Sequence, residues 1–443
     1  MQVTVCSPKI YTYGAMLIGG IIQNMGYEVS IQRDIRAIHG DVLFLSLYST
    51  QHLISPEIKD AIKNLQAHGT KCYIGGPVSA YPDIVFGELN PDAVVTGEGE
   101  PAIPVLLETG DPKKAPNCAY RVDNTIITTE KVRITDIEHP LPLIPDDIRD
   151  QSIRGANVYI ETHRGCFGRC GFCQVPLFFG RTIRSREITP ILKEVAAFKE
   201  KGVNRVAISG GTGSLYKSHD NIINTDAFIE LLKGLSKIMG PKNVSCPDIR
   251  VDCITNEVLE AIRTYTIGWV FFGIESGSQK MLDSIRKGIT IEQAEAAVTR
   301  CRQFDVKVAG SLICGYPDET EEDFRMTKEF LTANTLDDVF VSIAEPIPHT
   351  ALARSVLETG LDENPVFAPH HGEYASLHLT EAEARAFDLM LHADMCKPVL
   401  HLVTDDTFSA YLQEARRQGS DIRAVTDLLR RYHGNDIQNK IVS

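Results

Sequence analysis

Ten residues constrain this chain more than any others: Arg164-Gly-Cys-Phe-Gly-Arg-Cys-Gly-Phe-Cys173, with Cys166, Cys170 and Cys173 at C-x3-C-x2-C spacing. Three thiolates on one short loop can hold three irons of a [4Fe–4S] cube and leave the fourth iron open to a ligand. Zinc is the other metal that clustered cysteines bind in a reducing compartment. It takes four ligands, however, and the next cysteine, Cys246, is more than 70 residues on.

From Asn157 onward short apolar runs alternate with amphipathic stretches, and six strands are expected: Val158–Thr162, Arg205–Ser209, Val244–Cys246, Trp269–Ile274, Val306–Ile313 and Val339–Ile343. Six parallel strands with helical crossovers make an open (β/α)6 partial TIM barrel, whose reactive groups gather at the carboxyl ends of the strands. The notable segments fall at those ends. The cysteine loop follows the first strand and Ser209-Gly-Gly-Thr-Gly213 the second. Pro247-Asp-Ile-Arg-Val-Asp252 follows the third, Gly273-Ile-Glu-Ser-Gly-Ser278 the fourth, and Gly310-Ser-Leu-Ile-Cys-Gly-Tyr-Pro-Asp-Glu-Thr320 the fifth. In this order, over about 190 residues, the motifs resemble those of the radical S-adenosylmethionine (SAM) enzymes.

That resemblance implies roles. Cys166, Cys170 and Cys173 would hold the cluster, and Phe172 would pack on the SAM adenine. Gly210 and Gly211 would offer backbone to the SAM amino group, but Thr212 stands where the family usually has an acid. Arg250 could pair with the SAM carboxylate as a bidentate fork. Glu275 could take the ribose hydroxyls or the ammonium, and Ser311 lies on the strand that resembles the adenine-contacting one.

Ahead of this region, residues 2 to about 110 read as a Rossmann-like, doubly wound sheet, with strands at Gln2–Cys6, Tyr27–Gln32, Asp41–Leu47 and Lys71–Ile74 and helices at Gly14–Met25 and Ser55–His68. Ligands of such sheets sit beyond the carboxyl strand ends, here the loops Ser7–Tyr13, Ser46–His52, Gly75–Tyr81 and Gly97–Glu100. The segments Ile-Gly-Gly-Pro-Val-Ser-Ala-Tyr-Pro and Val-Val-Thr-Gly-Glu-Gly-Glu resemble the flavodoxin-like cobalamin-binding domain that precedes many radical SAM domains. The resemblance implies cobalamin contacts from Tyr13, Gly14, Ser46, Ser49, Gly75, Gly76, Pro77, Val78, Gly97 and Glu98. No Asp-x-His-x-x-Gly motif is present, so cobalt should lack that motif's histidine; His39 and His52 read as solvent-facing loop residues. Glu98 and Glu100 also read as charges favourable to a helix N-terminus. Tyr11, Tyr13 and Tyr48 are the candidates for facing the reacting groups, or for covering the corrin.

Residues 111–155 are Pro-rich and read as a linker, with 156–350 as the barrel domain. Residues 351–443 read as a helical region, with helices at Thr380–Lys397 and Ile422–Tyr432 and a strongly charged stretch over Asp405–Arg423. A length of 443 residues calls for more than one core. With a formal net charge of −13, nucleic acid is not the expected main partner. Arg164, Arg169, Arg181, Arg184 and Arg186 crowd the cysteine loop and read either as charge balance or as substrate contacts. Without an 18-residue apolar run or a signal sequence, a cytoplasmic setting without membrane contact is expected, its 11 cysteines reduced or metal-bound.

Together the resemblances imply a cobalamin-dependent radical SAM C-methyltransferase served by an external electron donor, one SAM supplying the methyl group and a second the radical. The cluster loop also resembles that of the methylthiotransferases, which carry a second cluster on three amino-terminal cysteines; only Cys6 and Cys72 lie within the first 110 residues here. In layout the chain most resembles the enzymes that C-methylate a glutamine of the methyl-coenzyme M reductase alpha subunit, which makes a protein or peptide the expected substrate; a small molecule is the alternative.

Overall fold

The computed structural model describes residues 1–433 except 210, 221, 246–247 and 400–401; Gly210 and Cys246 therefore lie outside the described residues. The chain forms two compact units, one of Met1–Gly165, Leu177–Gly210 and Arg431–Ser443, the other of Cys166–Pro176 and Gly211–Arg430.

The first unit is built on a seven-stranded sheet: β1 (Gln2–Cys6), β2 (Glu28–Gln32), β3 (Val42–Ser46), β4 (Lys71–Gly75), β5 (Ala93–Val95), β6 (Cys118–Val122) and β7 (Thr125–Thr128). Its spatial order is β2-β1-β3-β4-β5-β6-β7. The first five strands pair in parallel and the last two antiparallel. The order 2-1-3-4-5 is that of flavodoxin-like sheets, whose ligands bind where the winding reverses, between β1 and β3. Val42-Leu-Phe-Leu is apolar throughout because β3 is covered on both faces. One face packs Val3, Val5, Phe44, Tyr73 and Val95 against Ala15 and Ile22 of the helix Tyr13–Asn24 and Ile103 and Leu106 of the helix Ala102–Thr109. Thr12 caps the first of these helices; Ser55, followed by Pro56, caps Pro56–Ala67.

Residues 118–128, expected within a linker, instead add the hairpin β6–β7 to the sheet edge. Cys118-Ala-Tyr and Ile126-Ile are too short an apolar signal to stand out among prolines, and Asp123 supplies the positive φ (+51°) that the turn needs. The same unit carries β8 (Val158–Glu161), β9 (His163–Arg164), β10 (Arg184–Ser185) and β11 (Val206–Ser209), with β8 and β11 parallel and β9 and β10 antiparallel.

In the second unit the two-residue strands β12 (Val244–Ser245) and β13 (Asp248–Ile249) precede β14 (Trp269–Glu275), β15 (Lys307–Cys314) and β16 (Asp338–Ile343). The strands β13-β14-β15-β16 form a parallel sheet in sequence order. Val270, Phe272, Ile274, Val308, Leu312 and Val341 are buried on its helix-covered face. The opposite face carries Phe271, Gly273, Ser311 and Phe340, of which Phe340 is 41% exposed. In the tail, the charged stretch and the second expected helix form one helix, Asp405–His433. Its charges pair along its own surface, Arg417 with Glu414 and Asp421, and its Gln418 side chain occupies edge strand β16, accepting from Ile343 N (2.8 Å) and donating to Val341 O (3.1 Å). Among the described residues no helix is long and apolar enough to cross a membrane.

Candidate active site

The cysteine loop belongs to the second unit and is fixed at its back. Gly171 N donates to Ile285 O (2.7 Å) and Gly171 O accepts from Leu352 N (3.0 Å). Cys166, Cys170 and Cys173 are half-buried. A Cβ built on Gly168 would stand 3.3 Å from Cys166 Sγ and 3.9 Å from Cys170 Sγ, so these two thiols flank the bare backbone of Gly168. Burial above all pushes the Cys170 and Cys173 thiols upward, Cys173 to about 11, with the neighbouring cysteines adding to the rise at Cys173. Thiols that repel one another's charge suit a metal, which draws off their protons. The donor set fits a cluster held by three cysteines.

Three predicted ligand-binding side chains lie around this loop. Glu275 ends β14 at a register shift and takes φ +66°, the left-handed region that a glutamate seldom occupies. Lys287 Nζ lies 2.6 Å from its Oε1, and Ser311 Oγ donates to its Oε2 (3.1 Å). Gly273 makes room for this pair; a Cβ there would meet Glu275 Oε1 at 2.5 Å and Lys287 Nζ at 2.6 Å. Arg250 spends its Nε and Nη2 on the two oxygens of Asp252, both at 2.8 Å. The bidentate fork expected for a SAM carboxylate is thus closed on Asp252, because a carboxylate two residues on is the nearest acceptor. Its Nη1 remains on the cluster side, 3.6 Å from the Cβ position of Gly168, and the guanidinium lies over Phe167 at 5.4 Å. Phe172 is half-buried, Gly211 has φ +92°, and Thr212 is buried with its carbonyl capping the turn Gly213–Leu215.

Sequence reasoning missed Lys287 and Tyr316. Lys287 sits within Arg286-Lys-Gly288, which reads as an ordinary solvated turn; only the fold brings it back over Gly273. Tyr316 Oη is buried without a hydrogen-bond partner, in the electrostatic reach of Glu275 and Cys170.

In the first unit the four loops gather at the carboxyl ends of β1, β3, β4 and β5 as expected. Thr12 Oγ1 meets Ser7 Oγ at 3.0 Å and Ser46 Oγ at 3.5 Å; Thr50 and Tyr81 share a hydrogen bond of 2.9 Å. Gly76 (φ +84°) is required by packing, since a Cβ would lie 2.6 Å from Leu47 O. No atom stands within 4 Å of a Cβ on Gly14, and on Gly75 the nearest is at 3.9 Å. Ser79 Oγ and His52 Nδ1 are buried there with no partner. Open glycine edges and two orphaned polar atoms fit a large ligand lying across these loops.

Several expectations change here. His52 is buried, not solvent-facing, because it packs edge-on against Tyr48 at 4.5 Å; burial, then Lys9, lowers its pKa to about 4. Each candidate tyrosine is engaged with protein. Tyr48 Oη donates to Pro8 O (2.9 Å), and Tyr11 lies under Arg33 with its hydroxyl toward Asp147. Tyr13 Oη lies among Glu194 (2.9 Å), Arg186 (2.8 Å) and His139 (3.0 Å). Glu98 is no helix-terminal charge, nor is its carboxylate open to a ligand. It meets Arg164 Nη1 at 3.1 Å and Arg184 Nη1 at 2.8 Å, and accepts from Ile134 N at 3.0 Å. Arg164 further pairs with Glu100 (2.5 Å) and Glu161 (2.9 Å). Arg164, Arg184 and Arg186 are therefore interior structural charges; Arg169 is exposed. A surface groove of about 660 Å3, lined by Arg36, His39, Asp60 and His68 among others, lies at the amino ends of β3 and β4, the unused end of a parallel sheet.

Comparison with known proteins agrees with this geometry. The Radical SAM superfamily model matches residues 160–331. A Methanocaldococcus jannaschii protein named "putative methylthiotransferase" is 51% identical over 438 residues, covering 98% of this chain and 96% of its own. A Pyrococcus horikoshii protein named an uncharacterized methyltransferase is 27% identical, covering 76% of this chain and 73% of its own. A tRNA-2-methylthio-N(6)-dimethylallyladenosine synthase of Geotalea uraniireducens is 31% identical over 53% of this chain and 52% of its own. Among solved structures, the radical SAM methyltransferase TsrM of Kitasatospora setae, with cobalamin and [4Fe–4S] cluster bound, superposes with TM-score 0.65 at 15% identity, covering 81% of this chain and 74% of its own. The cobalamin-dependent radical enzyme OxsB, with aqua-cobalamin and SAM bound, gives 0.63 at 18% identity, covering 80% of this chain and 54% of its own. The last two likenesses establish a shared fold.

Proposed function

The chain is a member of the radical SAM superfamily, and on that premise we propose that it is a cobalamin-dependent C-methyltransferase acting on an sp3 carbon. The observation that carries this reading is the 2-1-3-4-5 parallel sheet, with open glycines and orphaned Ser79 and His52 at its ligand edge, encoded directly ahead of the three-cysteine loop. The folds of TsrM, a radical SAM methyltransferase solved with cobalamin bound, and of OxsB, named as cobalamin-dependent, support it.

When bound, the cluster supplies the electron that cleaves SAM to methionine and a 5′-deoxyadenosyl radical, and cobalamin supplies the carrier for the methyl group of a second SAM. The protein's own contribution is placement and exclusion of water. Cys166, Cys170 and Cys173 would hold the irons. Glu275, fixed between Lys287 and Ser311, keeps acceptor lone pairs for the ribose hydroxyls or the ammonium of SAM. Arg250 Nη1 offers the SAM carboxylate one nitrogen rather than a fork, Gly211 gives backbone to its amino group, and Phe172 gives the adenine a flat contact. Gly14, Ser46, Ser49 and Gly75–Val78 would line the corrin, with Gly97 contributing from the loop after β5. In this division residues 1–110 serve cobalamin, 156–350 serve SAM and the helical residues 351–430 buttress the latter, in a cytoplasmic enzyme that draws electrons from a separate donor. The substrate is a protein side chain, the glutamine of methyl-coenzyme M reductase, a choice supported by likeness of layout.

Reconstituted protein given SAM and a reductant should form 5′-deoxyadenosine, and Cys166→Ala, Cys170→Ala or Cys173→Ala should abolish it. Failure of cluster-loaded protein to take up cobalamin would overturn the methyltransferase reading. Unchanged mass of the glutamine peptide in cells lacking the gene would remove that substrate.

A second reading, methylthiotransfer, is favoured by the name of the 51% identical relative. It calls for a second cluster, so about eight irons per chain would support it and about four the first reading. Cys6, Cys72 and Cys118 are buried on β1, β4 and β6, where burial raises each thiol to about 12.

A further inference from the structure

We infer that Lys287 and Tyr316 are the residues that read the carboxylate of SAM, an assignment that deepens the SAM reading above and rests on it. Both belong to turns that one line of hydrogen bonds ties to the cysteine loop. Gly171 N of that loop donates to Ile285 O (2.7 Å), and Lys287 follows two residues later, its N donating to Leu282 O (2.9 Å). Ser284 Oγ, just ahead of Ile285, donates to Asp318 Oδ2 (2.5 Å). Asp318 lies in the turn that carries Tyr316, two residues past the end of β15, and Lys280 Nζ holds the same turn through Asp318 O (3.2 Å). Glu319 N closes it by donating to Tyr316 O (3.1 Å).

These turns carry a surplus of donors. Tyr316 is 5% exposed, and its Oη has no hydrogen-bond partner among the described residues. The Lys287 side chain is 11% exposed, and its ammonium spends one of three N–H groups, on Glu275 Oε1 at 2.6 Å. Glu275, which lies within electrostatic reach of the phenol, already accepts from Lys287 at one oxygen and from Ser311 at the other. A buried O–H and a half-used buried ammonium are costly to leave unmade, so the missing partner is an acceptor, and beside a lysine an anionic one. Arg250 does not fill the role alone, because its fork is closed on Asp252 and a single nitrogen is left. The amino-acid end of SAM is a zwitterion. Glu275 keeps lone pairs for its ammonium, and Lys287 and Tyr316 give donors to its carboxylate.

The test compares SAM with decarboxylated SAM, which keeps the amine, the sulfonium and the nucleoside but lacks the carboxylate, by equilibrium dialysis against reconstituted, iron-replete protein. Wild-type protein that holds its iron yet binds neither compound refutes the SAM reading itself, a failure distinct from that of the present assignment. Lys287→Met and Tyr316→Phe should each weaken SAM about tenfold without weakening decarboxylated SAM, so that the wild-type preference for the carboxylate narrows in both. Lys287→Met also removes a partner of Glu275, and a loss shared equally by the two compounds would make Lys287 a support for Glu275 and overturn its assignment. Tyr316→Phe removes one oxygen atom that has no protein partner, so it carries the test where Lys287→Met loses iron. Unchanged SAM affinity in Tyr316→Phe, or equal losses for the two compounds, overturns the proposal.

Discussion

Arg164 Nη1 lies 3.1 Å from Glu98 Oε1, with both side chains 4% exposed, and the two residues are 66 positions apart in the chain. Their contact ties the loop after β5 to β9, and Glu100, Glu161 and Arg184 complete the cluster. Removing one partner of a buried pair strands the other's charge, at a cost of about 3–5 kcal/mol. Arg164→Met takes the cation from Glu100 and Glu161 while Glu98 keeps Arg184, whereas Glu98→Gln leaves Arg164 with both Glu100 and Glu161. Urea unfolding should therefore show a larger loss for Arg164→Met than for Glu98→Gln. Equal losses would mean that Glu98 alone carries the contact.

Glu194 gives a pH signature. Burial raises its carboxyl to about 7, against the lowering effects of Arg186 and Tyr13, while Glu161 adds to the rise; His139 and Glu138 complete the surroundings through Tyr13 and Arg186. Between the ordinary value of 4.5 and about 7 the folded chain holds a proton that the unfolded chain has released. Stability should therefore fall as pH rises through this window, by at most about 1.4 kcal/mol per unit. Glu194→Gln should flatten that slope in urea titrations at several pH values; an unaltered slope would assign it to other groups.

The tail reaches the turn after β15 through Arg385, which meets Glu319 Oε2 at 3.0 Å while that oxygen accepts from Gly315 N at 2.7 Å. Ala382 packs close on Gly315 from the same helix, Glu381–Met395. Arg385→Met should loosen the turn that follows β15, weakening SAM binding several-fold in equilibrium dialysis while iron content stays at the wild-type level. A parallel loss of iron would show a wider collapse.

The parts of this architecture that are legible in sequence are local ones. Apolar runs of four or five residues locate the parallel strands, and three cysteines within eight positions mark the loop, because each signal is complete within one segment. Glu98 reads as a ligand contact and Lys287 as a solvated charge for the same reason. Their partners lie on other segments, and a charged residue in a Gly-rich turn looks solvated until the chain folds over it. Arg250 is a different case: its competitor, Asp252, is in view, but nothing in the spacing says that the fork closes on it.

Gly76 and Gly69 separate two costs that sequence confounds. Both have positive φ, +84° and +89°. A Cβ on Gly69 meets nothing within 4 Å, so Gly69→Ala bears only the backbone cost, about 1 kcal/mol. On Gly76 the same atom would lie 2.6 Å from Leu47 O and 3.0 Å from Leu47 N, backbone that β3 and β4 hold in register and that cannot retreat. Gly76→Ala should therefore cost clearly more than Gly69→Ala in urea unfolding. It should also displace the Gly75–Val78 turn from the ligand edge, so that cobalamin uptake, measured by absorbance, falls in Gly76→Ala and is unchanged in Gly69→Ala. Equal stability losses with full cobalamin uptake in both would show that Leu47 yields and that the turn takes no part in holding the corrin.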